Sequence, residues 1–482
     1  MALLTVDFRN IKKRLLLLYL IVKTQRGIQP PCFPRLCLDL PWIMAVPVSK
    51  HPLTRALWWS GIQACAKVLG QFSLVKVIAL WFGPAGLALA GQFQNLLYLL
   101  QTMGGSATQN SSIQALNQDG LSAESQRGVL TVSFKISFWI TMILALLWIL
   151  GYPWLDALIF PSEFPGWLYF LLPLSCLLST FFFWANAYLS ATKNYRSLAI
   201  HNIHQTFWNT ILFIVGGQQW GIVGACTGLA LAQIPLAGYS LWGMNRHAKF
   251  RLRAKEVWNF TSLFRKLPYP DGQSLKSPWP MVALSLYSVA ASQITLVVIR
   301  SIMMKQYDMN EVGYWEGLQR LGNLWIPVIA TLLTSHFLPV LSQQRNREGF
   351  LRHSMQTLLV SGGLVSLFAL VLMAIRFQAI PLLFSSDFGP MVMLLPLQCI
   401  ADIFKAVNWS LSHAILSQGQ AKQLIVVDVV VQGILMGGVA FGSQHFGWEL
   451  AVQVYAVATL VQSILTLALW LRTYRQLLTT NP

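Results

Sequence analysis

The sequence predicts an all-α polytopic membrane protein with twelve transmembrane helices, and three observations carry that reading. Of 482 residues, 55% are hydrophobic, 12% aromatic and only 10% charged, with a mean hydropathy of +0.55. No soluble domain of this size has that balance. Apolar segments long enough to cross a bilayer recur along most of the chain. Basic residues gather at alternate ends of those segments, so the net charge of +18 reports membrane topology and not nucleic-acid binding.

Taken in order, residues 1–43 differ from the rest. The run Leu15–Val22 is too short to span, and Pro30, Pro31 and Pro34 follow it. Met44 opens MAVPVSKHPLTRALWW, a natural entry to a first span, so 1–43 reads as a disordered extension or as sequence upstream of the true start. Spans follow at about 55–81, 87–112, 129–151, 165–191, 198–216, 221–242, 279–304, 312–341, 354–375, 390–417, 421–443 and 448–472. With the N-terminus and even-numbered connections in the cytoplasm, that side holds nineteen Lys and Arg, eight of them in 243–278. The opposite side holds two, Lys305 and Arg376. Both termini are therefore expected in the cytoplasm.

The chain also repeats. AGLALAGQ (85–92) aligns with VGYWEGLQ (312–319), and AYLS (187–190) with AILS (414–417), both at an offset of 227. WGIVGA (220–225) with FGWELA (446–451), and Trp242 with Trp470, agree within one residue. Six spans per unit give the two halves the same orientation, a parallel repeat. The expected organisation is a bundle over 44–242, a basic cytoplasmic linker over 243–278 with Pro268, Pro270 and Pro278, and a second bundle over 279–482.

Charge inside the membrane marks the candidate site. Pro390–Ser417 would be about 42 Å long as a helix, yet Asp402 and Lys405 lie near its middle. Gln398, Asn408 and Ser412 share their face. An intrahelical Asp402–Lys405 pair that staples helices together and a functional site are both open readings. Span 2 carries a polar stripe that includes Gln94, Asn95, Tyr98, Gln101 and Thr108. Pro327 is expected to kink span 8, where Glu316 and Arg320 stand four apart, as an interface pair or a site. Lys67 and Lys76 on span 1 cannot share a face; Lys76 is expected to snorkel outward while Lys67 is too deep to do so. Lys135 and Glu449 lie at span ends and read as solvated, and His201 and His204 as core histidines. The embedded cations Lys67, Lys76, Arg300, Arg320 and Lys405 outnumber the anions Glu316, Asp402 and Asp428. Polar faces from both halves point to a water-filled cavity of positive bias, suited to an anionic, hydrogen-bonding substrate.

At these residues the chain resembles the polysaccharide flippase (Wzx) branch of the multidrug/oligosaccharidyl-lipid/polysaccharide exporter superfamily. The stretches that carry the resemblance are Lys67-x8-Lys76 leading into FGPAGL (82–87), QY-x3-EVG-x-W-x-G (306–317), LPVLS (338–342), and Asp402-x-x-Lys405 with Asp428. It covers about residues 50–475. The resemblance implies a MATE-like pair of six-helix bundles around a V-shaped central cavity, working by alternating access without covalent chemistry or a cofactor. The implied substrate is an undecaprenyl-pyrophosphate-linked oligosaccharide, of lipid III or O-antigen type, moved from the cytoplasmic to the periplasmic leaflet. On this reading Lys67, Lys76, Arg300, Arg320, Lys405 and Gln101 bind substrate. Asp402, Asp428 and Glu316 couple an ion or pair charge. Membrane lipid is a partner, together with polysaccharide polymerase and chain-length proteins; nucleic acid is not.

Two alternatives stand beside it. A cation-coupled drug exporter of the same fold calls for a net acidic pocket. A membrane polymerase or ligase of lipid-linked glycans calls for a substantial outer loop, whereas the longest here, 152–165 and 376–390, have about fifteen residues. No HExxH, Walker or GxSxG motif is present, and the six cysteines have no metal-site spacing. The topology is directly testable. Single cysteines at Ser162 and Asp387 should react with an impermeant thiol reagent from outside, and ones at Ser274 or Gln420 should not; the reverse pattern overturns the orientation.

Overall fold

Apolar chain in a bilayer has to satisfy its own backbone groups. A computed structural model describes residues 52–106, 108–116, 123–159, 164–247, 279–333, 337, 340–341 and 346–479, and among these it contains helices and turns but no strand. The extension 1–43, residues 248–278 of the linker and most of LPVLS fall outside the described residues.

The first half opens with α1 (Pro52–Gly105), whose 54 residues would run about 81 Å, more than two bilayer cores. It makes two crossings, reversing at Gly83, where φ is 63° and Pro84 follows without an N–H to donate. α2 (Gln109–Leu116) is short, and α3 (Ala123–Ile159) and α4 (Gly166–Ala191) each cross once. α5 (Tyr195–Leu231) breaks at Trp220 and Gly221 as α1 does at Gly83, and its last part joins α6 (Gln233–His247) as the sixth span.

The second half begins with α7 (Trp279–Gln306). The eighth span is α8 (Met309–Gly322) and α9 (Ile326–Leu332), interrupted just ahead of Pro327 as its sequence predicts. α10 (Arg347–Ala374) is the ninth span, and α11 (Arg376–Leu383) with a 3-10 turn (Ser386–Met393) lies between it and the tenth. α12 (Leu395–Ser417), α13 (Ala421–Gly442) and α14 (Glu449–Thr479) complete twelve crossings. By length and apolarity alone seven of the described helices qualify, two of them with 48 and 52 residues and so double.

Packing shows where the halves meet. One buried cluster draws on both, joining Ile78, Leu87 and Phe93 to Val297, Val312, Phe384 and Phe388 at the end of the Gly83 turn. Towards the other end each half has its own core: Leu130, Phe134, Trp184 and Met244 in the first, Trp325, Ile329, Phe350 and Trp470 in the second. The two bundles thus share one core at that end and keep separate ones towards the other, although α2 and α3 of the first half also touch α7. At the fused end the Tyr307 hydroxyl donates to the carbonyls of Ser443, Phe446 and Gly447, at 3.2, 2.8 and 3.2 Å. Burial, then Glu311 and Glu449, push that hydroxyl's pKa up and keep it a donor.

Several expectations change. Pro390–Ser417 is not one rod: the 3-10 turn meets α12 at 64°, because Pro390 and Pro396 deny the junction two amide donors. Span 2 ends at Gly105 and not at 112, where the Ser106 hydroxyl donates to the Thr102 carbonyl at 2.6 Å and competes with the backbone ladder. Lys135 is buried, 5% exposed, and not solvated. His201 is a core histidine, stacked between Phe182 and Tyr239 and 3.4 Å from the Ser240 hydroxyl.

Candidate functional site

On span 2, Pro84, Ala88, Gly91 and Asn95 fall at spacings of four and three, hence on one face. That face meets the second half. Gly313 lies against the Pro84 carbonyl, and a Cβ on Gly91 would sit 2.6 Å from Oε1 of Glu316. Only small residues let the helices come this close. One turn beyond Asn95, Tyr98 is 51% exposed.

The closed part of this seam holds a charge cluster. The Glu316 carboxylate, 4% exposed, accepts from the Arg300 guanidinium through Oε2 and from Arg320 Nε at 2.8 Å through Oε1. Arg300 is 1% exposed and its guanidinium stands 5.5 Å over the Trp315 ring. Across the seam, Gln92 Oε1 accepts from Arg300 at 3.2 Å and Gln94 Oε1 from Arg320 at 2.5 Å. The Asn95 side-chain oxygen, in the orientation that satisfies both groups, accepts from Arg300 at 3.0 and 3.2 Å. Glu316–Arg320 is thus an i,i+4 pair, but a buried and shared one, not an interface pair.

Lys405 sits differently. Its ammonium lies 5.9 Å from the Trp325 ring and 6.0 Å from the Tyr455 ring, half-buried deep in the protein. It makes no ion pair with Asp402, which corrects the staple reading: neither ion pair seen among the described residues includes it. Asp402 instead faces span 8. Its Oδ1 accepts from Gln398 Nε2 at 3.2 Å, Gln398 Oε1 accepts from Gln319 at 3.4 Å, and its carboxylate lies over Gly322. The buried Tyr455 hydroxyl has no hydrogen-bond partner, and the Trp325 indole N–H points towards Asp402 without closing a hydrogen bond. Lys405 is therefore a membrane-embedded cation held by ring faces, beside donors that lack acceptors.

The other candidates divide. Lys67 is exposed on α1. Lys76 neither snorkels outward nor faces a ligand: it donates to the Phe384 carbonyl at 2.7 Å and the Pro381 carbonyl at 3.4 Å, closing the end of α11. Gln101 donates to Ser175 at 2.9 Å inside the first bundle. Asp428 accepts from Gln462 at 2.9 Å, between α13 and α14. Asn408, on the predicted polar face, accepts from Thr466 at 2.6 Å. In this conformation Arg300, Arg320, Lys76 and Gln101 hold protein to protein, while Lys67 is exposed and Lys405 half-buried against ring faces. The sequence reading missed Trp325 and Tyr455, because nothing in linear spacing brings span 8 and span 12 to one lysine.

No family model matches the chain. Over 392 residues it is 22% identical to the lipid III flippase of Escherichia coli (strain K12), covering 80% of this chain and 90% of that protein. Its fold is similar to the inward-facing conformation of a multidrug resistance MATE family transporter of the MOP superfamily. That match has a TM-score of 0.66 at 14% identity, over 89% of this chain and 100% of that one. It is similar as well to the lipid II flippase MurJ in an inward closed conformation, with a TM-score of 0.63 at 16% identity, over 85% and 87% of the two chains. The fold is MATE-like, and in sequence the chain resembles a lipid III flippase.

Removing the carboxylate shared by Arg300 and Arg320 should be costly. Glu316→Gln leaves two guanidiniums without their counter-charge and should destabilise the protein by about 3–5 kcal/mol. Gln101→Leu, which removes one neutral hydrogen bond, should cost about 1 kcal/mol. Thermal unfolding in detergent checks both; equal losses would contradict the cluster's role.

Proposed function

We propose that the protein flips an undecaprenyl-pyrophosphate-linked oligosaccharide, of lipid III or O-antigen type, from the cytoplasmic to the periplasmic leaflet by alternating access. The observation that carries this reading is a relationship to a lipid III flippase over 80% of the chain, joined to two embedded lysines, the exposed Lys67 and the half-buried Lys405, that belong to neither ion pair seen among the described residues. A pyrophosphate needs such cations as charge-assisted donors. Sugars would lie along the polar recess while the polyprenyl tail stays in lipid. As a transporter the protein makes and breaks no covalent bond in its substrate.

The basic-residue asymmetry supports a periplasmic location for the Gly83 end, with both termini in the cytoplasm. The structure then corresponds to a state closed towards the periplasm. The two bundles, 44–242 and 279–482, move about the linker 243–278. Glu316, held by two guanidiniums, is a charge-pair residue in this account, leaving Asp402 and Asp428 for ion coupling. The membrane location and the glycan suit polymerase and chain-length proteins as downstream partners. A drug exporter of the same fold is disfavoured because such a pocket gains from anions, and Lys67 and Lys405 supply the opposite sign.

Lys405 is the direct test. Lys405→Gln should abolish transport, Lys405→Arg should retain part of it, and the neutral Asp402→Asn/Lys405→Gln double variant should insert normally yet fail. The measurement is accumulation of untranslocated lipid-linked glycan in cells at matched expression. Full transport by the double variant would contradict the site.

A further inference from the structure

Both ion pairs seen among the described residues lie within the second half, where Arg300 on α7 and Arg320 on α8 share Glu316 on α8. The first half contributes to the seam no acid, only amides: Gln92, Gln94 and Asn95 accept from the guanidiniums, and Gln92 Nε2 donates to the Ser301 hydroxyl at 3.0 Å. Its one cation there, Lys76, meets neutral carbonyls of Pro381 and Phe384. Every polar contact named across the seam thus has one neutral partner, and the apolar face beside it, Pro84, Ala88 and Gly91, has no large side chain interlocked with α8.

This division matters for a surface that has to open. Separating a buried ion pair leaves unpaired charge at low dielectric, while a guanidinium–amide hydrogen bond exchanges for water at much lower cost. We propose that the seam is the outward gate and that it parts between the amides of Gln92, Gln94 and Asn95 and the guanidiniums of Arg300 and Arg320, the Arg300–Glu316–Arg320 unit staying whole on the second half. This rests on the transport reading only in requiring an outward-open state; it makes no use of the substrate. The amides are positioning residues. They hold the closed state weakly enough for the cycle to leave it, and a carboxylate in their place would bind the same guanidiniums too tightly.

The test reads the gate and not transport. Ala88, 0% exposed on the seam face, becomes the reporter as Ala88→Cys in a chain whose other cysteines are replaced. Reaction with an impermeant thiol reagent from outside reports opening. Gln94→Glu and, separately, Gln92→Glu should slow labelling about tenfold, and the Gln92→Leu/Gln94→Leu double variant should speed it about tenfold, each tenfold corresponding to ~1.4 kcal/mol between the states. A bulky wedge, Gly91→Phe, should speed labelling whatever the role of the amides, which verifies the reporter. If glutamate and leucine variants shift labelling in the same direction, the amides are packing groups and the proposal fails. It fails equally if neither shifts labelling while the wedge does. Loss of glycan transport by Lys405 variants with normal gating, or the converse, separates this proposal from the substrate assignment.

Discussion

A carboxylate buried inside a membrane protein between two guanidiniums holds its position only while all three groups stay together. Glu316 is that carboxylate, and much of the fused end is arranged around it: Gly91 makes room for its side chain, Trp315 stacks under Arg300, and Gln92, Gln94 and Asn95 take up further guanidinium donors, Arg300 Nε alone of that group's nitrogens staying without a partner. Each is needed because an unsatisfied polar group at this depth costs several kcal/mol. The shared core of Ile78, Leu87, Val312 and Phe388 then closes over the cluster and joins the two bundles.

That constraint divides the cations by role. Arg300 and Arg320 already have a counter-charge, and Lys76 has carbonyls, so none of them offers a site in this state. Lys405 has ring faces, and Lys67 is exposed on α1. Ring faces position the Lys405 ammonium without a carboxylate partner, which leaves it available to an incoming anion. Asp402, on the same helix, accepts from Gln398 and lies over Gly322, so both side chains meet span 8.

The architecture was legible in the sequence because bilayer physics writes it there. Span length, basic connections and the repeated Gly86/Gly313 and Gln92/Gln319 positions needed no tertiary information, and Pro327 marked a real interruption. The site was legible only as an inventory. Spacing placed Asp402 and Lys405 on one helix but could not say that Lys405 meets the rings of Trp325 and Tyr455 instead of pairing with Asp402, since those rings come from other spans. Lys135 misled for a similar reason: proximity to a span end suggests solvent, but bundle packing buries it. Gln92 entered only as a repeat marker, and its partner Arg300 lies more than two hundred residues away.

The central claim is that a cationic recess between the two bundles carries a pyrophosphate-linked glycan across the bilayer. Reconstituting the purified protein in liposomes with a fluorescent polyprenyl-pyrophosphate oligosaccharide, and following its transfer between leaflets, tests this most directly. The account predicts protein-dependent transfer that is lost when the pyrophosphate is replaced by an uncharged linker. Equal transfer of the uncharged analogue, or export of organic cations with no movement of the glycan lipid, would contradict it.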